Sequence, residues 1–330
     1  MKITLTATLL LPLLASANDG IGGVSAGGIV FGKTDAIAMK KEVLTVSHRL
    51  ISVDYEFVNE SAQDVVESIV FPLPEYAATN LPSDTYYGQP GNFSISVDGK
   101  PVGFRTVVRA MLDEVDVTAQ LHGVGISDAQ IAHHERFAPD TKVQALTASQ
   151  RQQLISLKLI GPGPSDDLEP LWNIQVNYVW QQKFPPNKLV RVHHAYRPFV
   201  SAGPAHSGMD DETARHYCAD AGFIKGWQRL AARNSPAGSG YLSLNAAKVS
   251  YILKTGNTWK NGIEDFTLNI VKQSPDELVS LCFPGNFKKI NASTFQVRLR
   301  NFRPSADLEV YFGNIDPNGE PNDGQMPRMN

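Results

Sequence analysis

Eight histidines, two cysteines and a few paired carboxylates are the residues through which this chain could do chemistry. Histidine occurs as His133-His134-Glu135, as His193-His194, and singly at His48, His122, His206 and His216. A helical zinc hydrolase site needs two histidines four apart with an intervening glutamate, and no such spacing exists. Adjacent histidines point in different directions on a helix, so His133 and His134 read as a solvated face. His194 differs, because it shares a strand face with Val192 and Tyr196. An imidazole there is a hydrogen-bonded core residue unless a pocket opens beside it, which makes His194 the candidate for acid–base work. Ser239, in Gly238-Ser239-Gly240, lacks both the Gly-x-Ser-x-Gly elbow and a following helix. Asp166-Asp167 and Asp210-Asp211 read as solvated turns. No metal-ligand set and no cofactor motif emerges.

One motif match is a trap. Gly27-x-x-x-x-Gly32-Lys33-Thr34 spells a phosphate-binding loop, which physically requires a buried strand before it and a helix after it. Its inner residues Ile29, Val30 and Phe31 favour extended structure, so the segment reads as entry into a first strand and no nucleotide is expected. Tyr86-Tyr87 is more promising for recognition. The pair lies in a Pro/Gly-rich stretch between Asn80 and Asn92, where it could stack on a sugar or fill a partner's pocket.

These residues need elements to position them. Over 330 residues, 42% are hydrophobic and 19% charged, enough for sizeable cores; the length suggests about two domains. The formal charge is −3, with no basic run interleaved with aromatics, which argues against nucleic acid. Lys2, the apolar run Leu5–Leu14 and Ala15-Ser16-Ala17 form a signal-peptide pattern, cut after Ala17. No run reaches the roughly 18–20 apolar residues of a membrane span. The protein is therefore expected in the periplasm or outside the cell. In that oxidising setting, two cysteines are most simply one disulfide, Cys218–Cys282.

The strongest periodicity lies in residues 170–198. Trp172, Ile174, Val176, Tyr178 and Trp180 alternate with polar Asn173, Gln175, Asn177 and Gln181; alternation resumes at Val190, Val192, His194 and Tyr196 after Pro185-Pro186. This predicts a central β-hairpin. Ile51–Phe57, Val65–Phe71 and Phe93–Val97 add strands, the last entering an Asp98-Gly99 turn. Residues 112–161 change to helical period, with capping boxes Ser127-x-x-Gln130 and Thr147-x-x-Gln150. Ser201–Gly208 reads as a breaker-rich linker. A helix over 220–233 and alternating strands from Val249 to Phe312 follow. The expected fold is mainly β: two β-sandwich-like domains, 18–205 with the helical insertion and 206–312 with a helix docked by the disulfide, then a mobile tail, 313–330.

The order of motifs resembles an exported bacterial family, domain of unknown function 4424. The likeness rests on Asn18-Asp19-Gly20, Gly27-Gly28-x-Val30-Phe31-x-Lys33-Thr34, Phe71-Pro72-Leu73-Pro74, Tyr178-x-Trp180-x-Gln182-x-Phe184-Pro185, Val192-x-His194-x-Tyr196-x-Pro198 and Asn301-Phe302-x-Pro304. It implies a secreted or periplasmic β-rich protein and supplies no activity. Tyr55-x-Phe57-x-Asn59 with Phe71-Pro72-Leu73-Pro74-Glu75 is also similar to the vault/inter-alpha-trypsin domain, a β-sandwich interaction module. The resulting expectation is a non-enzymatic envelope module that binds a protein or cell-envelope component. The alternative is a hydrolase with a site between the two domains, using His194 or His206.

Overall fold

A computed structural model of the chain describes residues 19–25, 28–78, 86–87, 91–132, 146–162, 168–198, 200–205, 209–235, 242 and 244–316. The leader 1–17, His133, His134, Glu135, Asp166, Asp167, His206, Ser239 and residues 317–330 lie outside them. The fold is mainly β, as expected. Among the described residues it has three larger sheets, of seven, eight and five strands, and one two-stranded ribbon.

The eight-stranded sheet is the shared layer. Its centre pairs Ile37–Val46, Ile51–Asn59 and Leu189–Arg197 antiparallel. Along Ile51–Asn59 the side chains alternate as read, with Ile51, Val53, Tyr55 and Phe57 fully buried. The opposite face is held by cross-strand pairs: His193 Nδ1 lies 2.8 Å from Asp54 Oδ1, and Arg191 Nε donates to Glu56 Oε1 at 3.3 Å. Ile263–Val271 joins the other side of Ile37–Val46 in parallel and carries Thr294–Phe302 beyond it. Strands from both sides of the expected 205/206 boundary thus share one sheet. The main apolar cluster likewise runs from Ile21 to Ile315.

The predicted hairpin does not form. Asn173–Phe184 pairs with Arg105–Leu112 and Val65–Pro72 in the seven-stranded sheet, whereas Leu189–Arg197 pairs with Ile51–Asn59 and Gly91–Val97 in the eight-stranded one. Pro185 and Pro186 have no ladder N–H, so the reversal turns out of its own sheet and arches into the facing layer. Asn59 secures the arch: its Nδ2 donates to the Phe184 carbonyl at 2.8 Å, and its carbonyl accepts from Asn187 N at 2.8 Å. The two apolar faces then meet across the sandwich, with Trp180 against His194 and Tyr178 stacked on Phe93. The supposedly outward Gln175 and Asn177 are also buried, Gln175 accepting from Arg109 Nη1 and Asn177 donating to the Val107 carbonyl.

Other readings need the same adjustment. Within Ser201–Gly208, read as linker, residues Ser201–Ala205 belong to strand Val200–Ala205, which lies between Leu244–Tyr251 and Tyr86–Tyr87, since small residues pair through backbone as well as any. Tyr86–Tyr87 is accordingly the end strand of the five-stranded sheet rather than loop. The start of the presumed tail is tied down: Ile315 is buried and its N–H bonds the Asn245 carbonyl. Helices Thr118–Gly123, Asp128–Ala132 and Ala148–Ser156 form the insertion, and both capping boxes are made. In the second half, helix Ala221–Asn234 starts at its Asp220 cap and lays Trp227, Leu230 and Ala231 against Tyr311, Leu244 and Ala246 of the five-stranded sheet. Asp210, read as a solvated turn, instead caps a further helix, Asp211–His216.

Candidate functional site

His194 comes first because sequence singled it out. It is 0% exposed, and its Nε2 lies 3.0 Å from Asp19 Oδ2, itself on a residue 1% exposed. Tyr55, Phe71, Phe93 and Trp180 surround the imidazole, with ring centroids 5.1–5.6 Å away. The Asp19 carbonyl accepts the Trp259 indole N–H at 2.6 Å. A Cβ on the next residue, Gly20, would meet Thr255 Cγ2 at 3.0 Å, so the chain threads the interior with no room to spare. Burial raises the Asp19 carboxyl above its ordinary range, and His194 opposes that rise. An acid–base group must reach a substrate proton, and this one is sealed between two sheets. His194 is a buried fastening for the first strand.

Lys33 is equally uninformative chemically. Gly20–Ser25 and Gly28–Phe31 form a hairpin, and Thr34 Oγ1 accepts from the N–H groups of Ala36 and Ile37 on the way into the next strand. The segment leads from strand to strand rather than into a helix. Among the described residues no cluster of three or more His, Cys, Asp or Glu is placed to hold a metal ion.

The candidate site is a cleft of about 520 Å³ that sequence reasoning did not find. One wall is the start of helix Ala221–Asn234, with Asp220, Gly222 and Phe223; the second is Leu278, Val279, Ser280 and Leu281. Ile270, Lys272, Phe287 and Phe295 supply the third wall from the eight-stranded layer. Phe223, Leu278, Val279, Leu281, Phe287 and Phe295 are only partly covered, so the cleft presents apolar surface to solvent. The Cys218–Cys282 disulfide is present, with Cys218 in the cleft lining; it joins the turn before the helix to the second residue past strand Leu278–Ser280, with Cα atoms 5.0 Å apart. The expected role of these cysteines, pinning helix to sheet, is met in this local form.

Beneath the cleft lies a pair of ionisable groups. Glu277 is 2% exposed and His48 6%, with Glu277 Oε1 at 3.6 Å from His48 Nδ1. Burial pushes Glu277 up to about 7, against the N–H donated by Gln273 and the charges of Lys272 and Arg49. Burial pulls His48 down to about 4, and the Arg49 guanidinium adds to that. Arg49 Nε donates to His48 Nε2 at 3.0 Å, while its Nη2 donates to the Asp316 carbonyl. Lys272, on the cleft wall, is lowered by burial and donates to the Pro275 carbonyl at 2.5 Å. The cleft thus combines apolar wall residues with the polar side chains of Asp220 and Ser280, the half-buried Lys272 ammonium and the Glu277 carboxyl, which burial raises to about 7.

A family model described as Domain of unknown function (DUF4424) matches residues 17–311. The chain belongs to this family. That match carries the first resemblance drawn from sequence and says nothing for the vault/inter-alpha-trypsin one. Curated proteins give no match. Among solved structures, a candidate nutrient-binding protein from Legionella pneumophila shares 16% identity, covering 90% of this chain and 72% of that one, with a TM-score of 0.44. A zinc metallopeptidase of the M1 class from Deinococcus radiodurans shares 10%, covering 85% and 43%, at 0.27. Likenesses of this size carry no functional argument for the DUF4424 chain. Among the described residues no helix is long and apolar enough to cross a membrane, which leaves strands unaddressed.

Proposed function

We propose that this DUF4424 protein is an exported, non-enzymatic binding module of the cell envelope, and that it receives its partner in the cleft beside Cys218–Cys282. The observation that carries the reading is the cleft itself: about 520 Å³ of concave surface in which partly exposed phenylalanine and aliphatic side chains stand beside Asp220, Lys272, Glu277 and Ser280. Export is supported by the leader pattern ending at Ala17 and by a disulfide, a bond that persists in oxidising compartments. The hydrolase alternative loses its best residue, because His194 is enclosed with Asp19. Tyr86–Tyr87 sits at the opposite edge of the five-stranded sheet from the cleft and stands as a second contact surface.

The test is a pull-down from crosslinked envelope extract with mature protein, residues 18–330, and with Leu281→Glu, which sets a charge in the apolar wall. A partner held by the wild type and lost from a variant of unchanged melting temperature supports the cleft. Retention by both the wild type and Leu281→Glu sends the contact elsewhere, Tyr86 and Tyr87 first. Esterase, peptidase or glycosidase turnover that disappears in His194→Ala would overturn the non-enzymatic reading.

A further inference from the structure

The second wall of the cleft is not merely apolar surface; it is a sheet edge. Among the described residues, strand Leu278–Ser280 ends the five-stranded sheet and pairs only with Leu308–Gly313. In an antiparallel edge strand, alternate N–H and C=O groups face away from the paired neighbour. Among the described residues no backbone hydrogen bond covers the far side of Leu278–Ser280. Open edges of this kind are usually blunted by charge or proline. The eight-stranded sheet follows that rule at both ends, with Lys288–Lys289 and Lys100–Pro101. Leu278-Val279-Ser280 carries neither charge nor proline; it is short, its Ser280 Oγ donates to the Tyr217 carbonyl at 2.9 Å, and the space beside it is the cleft.

We propose that the cleft takes an extended peptide segment, which adds as a sixth strand along Leu278–Ser280 and turns its alternate apolar side chains onto Phe223, Phe287 and Phe295. This names the occupant of the site proposed above and rests on that reading. Main-chain bonds to the edge provide attachment, and the period of two decides which side chains enter the apolar walls. Three strand residues span roughly 10 Å, so the recognised core is about three to four residues long. Small apolar ligands would use the same walls without needing the edge, which is the distinction to measure.

A displayed library of random heptapeptides is panned on the mature, disulfide-intact protein and counter-selected on Leu281→Glu, with Phe287→Ala as the second variant should the first not fold. Selected peptides are then synthesised with N-methyl groups on the odd or on the even residues. The expected result is that one methylated series loses about tenfold or more in affinity while the other binds nearly as before, since only one set of N–H groups faces the edge. Equal binding by both series overturns strand addition and leaves the cleft as a binding site. The same holds if no variant-sensitive peptide is recovered while anilinonaphthalene sulfonate binds saturably and is lost in the variant. If neither peptide nor dye binds in a variant-sensitive way, both this inference and the cleft reading fall.

Discussion

Replacing Glu277 by Gln should expose a pH dependence that the native protein hides. Glu277 is raised from 4.5 to about 7, so between those values the folded state keeps a proton that the unfolded chain has released. Its contribution to stability is complete below about 4.5 and is lost as pH rises through about 7. His48 is lowered from 6.5 to about 4, so over that range the unfolded chain holds a proton that the folded state lacks. Its contribution is complete above about 6.5 and is lost as pH falls through about 4. Each displacement is worth roughly 3 kcal/mol at most, with a slope near 1.4 kcal/mol per pH unit of opposite sign. Across the shared window, about 4.5 to 6.5, the two cancel. In Glu277→Gln the His48 contribution stands alone, and stability relative to wild type should fall as the solution is acidified. In His48→Gln the Glu277 contribution stands alone, and relative stability should fall as pH rises. Urea denaturation from about pH 4 to about pH 7.5, with the disulfide intact, reads both differences directly. Parallel profiles for wild type and both variants would refute the claim that burial keeps this pair neutral beneath the cleft.

His194→Ala leaves the Asp19 carboxyl buried without its partner and should cost about 3–5 kcal/mol in urea denaturation; a loss under about 1 kcal/mol would show that the pair fastens nothing. Asn59→Ala removes donors to the Phe184 and Gln63 carbonyls, both at 2.8 Å, and should destabilise by about 2–3 kcal/mol in the same assay. Cys218→Ser with Cys282→Ser opens a link between residues 64 apart and should cost roughly 4 kcal/mol in the chain-entropy model, seen as a lowered melting temperature together with weaker dye binding in the cleft. Gly262→Ala forces a Cβ to 2.8 Å from the Phe302 carbonyl oxygen at φ +70°, so a loss of about 1–3 kcal/mol is expected by calorimetry.

Local signals in the sequence located most elements and mislocated one connection. Alternation over Trp172–Trp180 and Val190–Tyr196 placed both strands, and Pro185-Pro186 placed the reversal. What alternation cannot encode is whether the chain returns to the same sheet. An arch and a hairpin present the same apolar faces to sequence; they differ in which partners complete the ladders, and those partners are Val65–Pro72 and Ile51–Asn59, far away in the chain. The missing N–H groups of two consecutive prolines were the available clue. Helix starts were legible for the opposite reason, since caps such as Thr147 and Asp220 act within three residues, whereas the helix expected to run from Ala148 to Ile160 ends at Ser156 and Ile160–Pro162 is a strand. Asp210 carried the same signal and was passed over because its neighbour Asp211 suggested a turn.

The site was hidden for a related reason. His194 stands out because an isolated polar residue in an apolar row is visible in one strand, yet the residue that explains it, Asp19, is 175 positions away. A polar residue in an apolar row therefore signals that a partner exists, and gives no indication of whether solvent does. The cleft shows the converse. Phe223, Leu281, Phe287 and Phe295 each fit an ordinary amphipathic pattern, and nothing in their spacing marks them as partly exposed. They become a site only where the last strand of one sheet, the margin of another and the turn before a helix converge. The disulfide was the one long-range constraint that could be read in advance, and it lies at that convergence. A covalent tie there holds a short edge strand, free of charge and proline, beside a partly exposed apolar wall.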